Sequence, residues 1–191
     1  METRFGFRYD EALVRMRILD PVAVPPGWPA AIADFSVPHS EFVGLDWPAR
    51  RVLVVENKFT FLSLPKLPEV LAVWGAGAAL QLLAGADWLR KCDLYYWGDL
   101  DVAGFHLLNR LRHAFGHVTS VMMDEESVQQ FREMGIACLP PSTDETDRLS
   151  NAERTTCATL RTLELRIEQE KFSHSWAVAQ LQRTVGIILP P

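Results

Sequence analysis

The chain has 191 residues, 48% of them hydrophobic, and a formal net charge of −5 at pH 7. That apolar content supports a folded core and excludes wholesale disorder, and the length fits one domain, or one domain with an appendage. The mild acidity excludes nucleic-acid binding by bulk charge alone, but not a nucleic-acid enzyme, in which carboxylates gather at a metal site and basic groups are local.

In chain order, residues 13–19 largely alternate polar and apolar side chains, the pattern of a strand. Pro21, Pro25, Pro26, Gly27 and Pro29 make a loop. Residues 32–45 are mixed, and Pro38 forbids a long helix there. From residue 51 the pattern becomes strand–helix–strand. Residues 51–55 read as a strand, with 52–55 a continuous apolar run of the kind buried on both faces. A second apolar strand is expected over 70–74, ending in Gly75-Ala76-Gly77, with a helix over 78–84. A third strand is expected over 93–98. The helix expected over 103–115 carries Phe105, Leu107, Leu108, Leu111 and Phe115 near helical spacing. A fourth strand is expected over 118–122, and then a helix from Asp124 with Glu125 and Glu126 in its first turn, where acids suit the helix dipole. Residues 136–139 read as a short last strand, stopped by Pro140-Pro141.

Beyond a polar linker at 142–150, helices are expected over 151–170 and 175–185. Strands alternating with helices imply an α/β fold with a mostly parallel sheet of about four strands, helices on both faces and a C-terminal helical extension. The chain divides accordingly into an N-terminal strand and Pro-rich segment (1–45), the α/β domain (46–141) and the extension (142–191). Cys92, Cys138 and Cys157 are an odd number with no CxxC pair, which fits a reducing compartment. No apolar run has the length of a membrane span and the N-terminus has no signal pattern, so a soluble cytoplasmic protein without a membrane partner is expected.

Two acidic points close predicted strands. Glu56 follows Val52-Leu53-Val54-Val55, and Asp99 and Asp101 follow Leu94-Tyr95-Tyr96-Trp97-Gly98. Open α/β sheets bind ligands at the C-terminal edge of their strands, so three carboxylates there suggest a divalent cation and phosphate chemistry. Hard cations such as Mg²⁺ take one or two carboxylates and keep waters for a phosphate substrate. Residues i and i+2 of an extended stretch face one side, so Asp99 and Asp101 can serve one pocket. Gly98 is expected to let the backbone turn tightly before them. Glu56 could complete the ligand set, or stay outside it as a general acid or base. A lone Asp-x-Asp is common. The pairing of a strand-end Glu with a strand-Gly-Asp-x-Asp is more specific.

The order strand–Glu, then strand–Asp-x-Asp, on a small parallel sheet resembles the Toprim (Rossmann-like) domain of topoisomerases, primases and related nucleases. The strings Val54-Val55-Glu56-Asn57-Lys58, Val73-Trp74-Gly75-Ala76-Gly77, Tyr96-Trp97-Gly98-Asp99-Leu100-Asp101 with Gly104-Phe105, and Met122-Met123-Asp124-Glu125-Glu126 narrow this. They resemble the C-terminal domain of JetD, the nuclease subunit of the Wadjet anti-plasmid defence system, related to the A subunit of topoisomerase VI. The opening Arg15-Met16-Arg17-Ile18-Leu19-Asp20-Pro21 and the late Arg166-Ile167-Glu168-Gln169-Glu170-Lys171 also fit, so the resemblance covers nearly the whole chain.

The resemblance implies a Mg²⁺-dependent DNA endonuclease, with Mn²⁺ as a substitute. It implies Glu56 as catalytic acid or base and metal neighbour, and Asp99 and Asp101 as Mg²⁺ ligands, the three together forming the catalytic and metal site. Its implied partners are double-stranded DNA and SMC-like, kleisin and winged-helix subunits, with a homodimer as a further assembly. The chain departs from the family in places. Gly75-Ala76-Gly77 stands where Gly-Lys-Gly is usual, and Val102 and Ala103 stand where Thr-His is frequent. Longer members carry an N-terminal region with winged-helix and arm segments, so this chain is expected to be a truncated form or a separated piece.

Two other functions compete. A haloacid-dehalogenase-like phosphatase also uses a strand-end Asp-x-Asp, but wants a Thr or Ser shortly after it, where Val102, Ala103 and Gly104 stand. A non-catalytic Toprim-fold interaction domain would explain the substitutions. Around the site, Lys58 could touch a phosphate or be solvated, and Asp124 suits helix N-capping. Trp74 and Trp97 are expected to pack under the site. Glu168 and Glu170 would reach it only if the C-terminal helix folds back. His39, His106, His113, His117 and His174 show no metal-ligand spacing.

Overall fold

The computed structural model describes residues 11–75, 77 and 79–185. Ala76, between Gly75 and Gly77, and Ala78, the expected start of a helix, lie outside the described residues, as do both termini of the chain. The strands are β1 (Leu13–Ile18), β2 (Asp34–Pro38), β3 (Arg51–Val55), β4 (Val70–Trp74), β5 (Asp93–Trp97), β6 (Thr119–Ser120), β7 (Ile136–Ala137) and β8 (Leu165–Arg166). The helices are α1 (His39–Val43), α2 (Lys58–Ser63), α3 (Ala79–Leu83), α4 (Val102–Ala114), α5 (Glu125–Phe131), α6 (Asn151–Leu163) and α7 (His174–Thr184).

The main sheet has six strands in the order β2-β1-β4-β3-β5-β6. Four of them, β4-β3-β5-β6, are mutually parallel and correspond to the expected α/β core. The other two extend the sheet on the β4 side, because β1 runs antiparallel to both β2 and β4. The fold is therefore α/β with a mostly parallel sheet flanked by helices, two strands wider than the sequence suggests. Strand β2 escaped notice because none of its residues is fully buried, so no apolar alternation marks it. Strand β6 is shorter than expected: it pairs with β5 only at Thr119 and Ser120, and Met122 already has a positive φ of 55°.

The core follows from the strand sequences. Successive strand residues point to opposite faces, and Val52, Leu53, Val54 and Val55 are all fully buried, as are Val70, Leu71, Ala72 and Val73. Both faces of the central strands are thus covered. Helix α4 contributes Phe105, Leu108 and Leu111 to this core. Its basic residues Arg112 and His113 lie in the last turn, where they suit the helix dipole. No helix among the described residues is long and apolar enough to cross a membrane.

The C-terminal segment differs most from expectation. The helix expected over 151–170 ends at Leu163, and Glu164 takes a left-handed conformation with φ 47°. Leu165 and Arg166 then form β8, which pairs antiparallel with β7 in a separate two-stranded sheet. The expected last strand at 136–139 therefore does not join the main sheet. No Gly or Pro marks the break after Leu163; pairing with β7 supplies the hydrogen bonds that a longer helix would have supplied.

Candidate functional site

The connection after β3 leads to β4 on one side, and the connection after β5 leads to β6 on the other. Adjacent parallel strands whose connections diverge leave a crevice at their C-terminal ends, where such sheets bind ligands. Glu56 follows β3 and Asp99 follows β5 at that crevice. Register places Val55 beside Trp97, and the Glu56 amide donates to the Trp97 carbonyl at 3.1 Å. The Trp74 indole donates to the Glu56 carbonyl at 2.9 Å, so the end of β4 is tied in as well. Trp97 is buried and packs toward Phe172, with ring centroids 5.9 Å apart.

The Glu56 side chain lies over the end of β5. Its Oε2 accepts from the Tyr96 hydroxyl at 3.2 Å and from the Asp99 amide at 3.2 Å. Tyr96 is fully buried. Burial and the Asp99 and Asp101 charges push the Glu56 carboxyl up to about 7, although the Asp99 amide and the Tyr96 hydroxyl pull the other way. Gly98 works differently from the expectation. Its φ is not positive; what it provides is space, since a Cβ there would lie 2.6 Å from the Tyr96 hydroxyl that holds Glu56.

Asp99 and Asp101 are 5% and 6% exposed, so each needs a partner inside the protein. Asp101 is the N-cap of α4, and its Oδ1 accepts from the Gly104 amide at 2.7 Å. Gly104 has no alternative at this position, because a Cβ would sit 2.2 Å from the Asp99 carbonyl oxygen. Burial raises the pKa of both aspartates, outweighing the Arg166 charge and the amides that bond them.

The remaining partners come from beyond α6. Arg166 Nη2 donates to Asp99 Oδ2 at 2.6 Å, and its Nε lies 3.6 Å from Asp101 Oδ2. Ile167 and Leu100 exchange two backbone hydrogen bonds, each 3.0 Å, which fixes this segment over the Asp-x-Asp turn. Gln169, 2% exposed, links three places. Its amide donates to Asp99 Oδ1 at 3.3 Å, its Nε2 donates to the Trp97 carbonyl, and its Oε1 accepts from the Asn57 amide at 3.2 Å. Sequence reasoning singled out Glu168 and Glu170 here and missed Arg166 and Gln169, although all four lie in one string that fits the family. Glu168 Oε1 is 3.7 Å from Arg166 Nη2, and Glu170 is exposed.

The other candidates lie at the margin. Lys58 is exposed, with its ammonium 5.8 Å from the Trp74 ring centroid. Asp124 caps α5, accepting from the Ser127 amide at 2.8 Å. His106 accepts from the Glu145 amide at 3.4 Å, and makes no hydrogen bond to Glu56, Asp99 or Asp101. In donor chemistry the Glu56, Asp99 and Asp101 set fits a hard dication: three oxygen-bearing groups at adjacent strand ends, each with its charged form disfavoured by burial. Among the described residues, however, no group of three or more His, Cys, Asp and Glu side chains is disposed as a ready ligand cage. The Arg166 guanidinium engages both aspartates instead.

Comparison with known proteins gives one family. The family described as Wadjet protein JetD, C-terminal, matches residues 6–181. No curated protein matches the chain.

Proposed function

The chain belongs to the Wadjet JetD C-terminal family, and from that premise we propose that it is the Toprim-type nuclease part of a plasmid-defence complex, cleaving DNA phosphodiesters with Mg²⁺ or Mn²⁺. The observation that supports this best is the meeting of Glu56, Asp99 and Asp101 at the crevice between β3 and β5. Asp99 and Asp101 would hold the cation, with Glu56 beside them. The cation, when bound, would neutralise charge developing on the phosphodiester.

The protein's own groups account for the rest. Glu56 Oε2 is held by the Tyr96 hydroxyl and the Asp99 amide, which leaves Oε1 to take or give a proton. A carboxyl that titrates near 7 is matched to that task at neutral pH. The cap on α4 fixes Asp101 through Oδ1, so Oδ2, which faces Arg166 Nε at 3.6 Å, is the oxygen that would turn to the cation. Double-stranded DNA is the proposed substrate, with SMC-like, kleisin and winged-helix subunits as partners.

The test is conversion of supercoiled plasmid to nicked and linear forms in Mg²⁺ or Mn²⁺, with the chain alone and with the other complex subunits. Glu56→Ala and Asp99→Ala are expected to abolish cleavage. Intact plasmid in every combination would remove the nuclease reading. A second reading, a non-catalytic domain that docks partners, draws on the Arg166 ion pair with Asp99. Calorimetry showing no Mg²⁺ or Mn²⁺ binding would favour it.

A further inference from the structure

The four oxygens of Asp99 and Asp101 are all accounted for within the protein. Asp99 Oδ1 accepts from the Gln169 amide and Oδ2 from Arg166 Nη2. Asp101 Oδ1 caps α4, and Oδ2 faces Arg166 Nε at 3.6 Å. The same edge of one guanidinium therefore lies against the two oxygens, one from each aspartate, that a cation shared between them would use. Arg166 Nε is buried and makes no hydrogen bond, so the Asp101 side of that edge is held by charge alone, while Nη2 bonds Asp99. Glu168 adds a third anion at 3.7 Å from Nη2. None of this belongs to the sheet itself. Arg166 arrives from β8, held in place by the Ile167–Leu100 bridge.

We infer that Arg166 is a built-in competitor for the cation site: its guanidinium neutralises Asp99 and Asp101 in the metal-free protein, and a divalent cation binds only by displacing it. The inference rests on the metal-site reading above and specifies what sets the affinity of that site. A guanidinium cannot relieve the conflict by losing its proton. A cation bridging Asp99 Oδ2 and Asp101 Oδ2 would lie in the gap that the Nε–Nη2 edge of Arg166 fills, so its entry there requires the guanidinium to move. The Arg166 side chain is 37% exposed, and its long stem gives the guanidinium a route toward solvent. Its departure removes a tie that holds 165–169 over the site.

Mn²⁺ binding, measured by calorimetry on the whole chain, tests this with Arg166→Gln, Arg166→Lys and Asp99→Asn. Removing the competitor is expected to tighten Mn²⁺ binding in Arg166→Gln by about tenfold or more, equivalent to about 1.4 kcal/mol. Arg166→Lys, which keeps the charge, is expected to stay near the parent chain, and Asp99→Asn to abolish binding in either background. A merely structural arginine would give the opposite sign, since its loss would disorder the site and weaken binding. Hydrogen exchange on the unmodified chain gives a second readout: backbone amides of 165–169 are expected to exchange faster at saturating Mn²⁺.

Equal or weaker binding by a folded Arg166→Gln overturns the inference and leaves the metal site standing. Should that variant not fold, unchanged protection of 165–169 at saturating Mn²⁺ overturns it equally. Absence of Mn²⁺ binding from the parent chain and from Arg166→Gln overturns both the inference and the metal-site reading.

Discussion

Glu56→Gln is expected to stabilise the metal-free protein, and only above a certain pH. The substitution keeps an oxygen to accept from the Tyr96 hydroxyl and the Asp99 amide, and removes the charge. The Glu56 carboxyl titrates near 7 in the folded protein, against 4.5 for an ordinary glutamate. An acid whose folded pKa is raised binds its proton more tightly in the native state, so native stability falls as pH rises from 4.5 and levels off above 7. The difference of about 2.5 pH units, at 1.36 kcal/mol each, amounts to about 3 kcal/mol lost by the parent chain at pH 8 and spared in the variant. For a chain of this size that corresponds to a melting temperature roughly 6–12 °C higher. Urea titrations in EDTA at pH 4, 6 and 8 measure the gap directly. The gap is expected to be near zero at pH 4, intermediate at pH 6 and full at pH 8. A gap of the same size at all three values would mean that packing, not charge, separates the proteins. No gap at pH 8 would refute the electrostatic account of the site.

Three further outcomes follow from the geometry. Arg112 and Glu153 form an almost buried pair, with side chains 13% and 8% exposed, so Arg112→Met, which strands the carboxylate, should cost about 3–5 kcal/mol in urea unfolding. Although burial pushes Glu153 up, Arg112, Ser120 and the Ser150 amide hold it down to about 2. Its contribution is present above pH 4.5 and lost as pH falls toward 2, and acid titration of Arg112→Met should show that slope flattened. Gly104→Ala places a methyl against the Asp99 carbonyl and should destabilise by about 1–3 kcal/mol or more, read as a lower melting temperature together with weaker Mn²⁺ binding. Gln169→Glu replaces the amide that donates to the Trp97 carbonyl with an acceptor, and should cost about 1–3 kcal/mol at neutral pH, with partial recovery in acid.

The parallel core was legible in the sequence because strands covered on both faces must be apolar at every position. The runs at 51–55 and 70–74 could be read as buried strands, and the acids after 51–55 and 93–97 as strand ends. Asp124 also announced itself, since a short acidic side chain ahead of a helical pattern satisfies its first free amides. The cap that Asp101 provides for α4 came only with the structure. Gly98 was noticed for the wrong reason. Its turn needs no special φ, and only the position of the Tyr96 ring shows that the constraint is volume.

What the tertiary structure decided lies on the other side of the site. Arg166 and Gln169 reach Asp99 from 67 and 70 residues away. The helix that would have carried them elsewhere ends at Leu163 without Gly or Pro to mark it. Local pattern records propensity and periodicity, and both favoured a longer helix. Pairing of β8 with β7 and of Ile167 with Leu100 overrode them. The sequence by itself thus determined where three carboxylates stand, because each closes or follows a buried strand. Their burial, the pKa of Glu56 and the arginine against the aspartates are properties of neighbours brought together in space, and only the folded chain could set them.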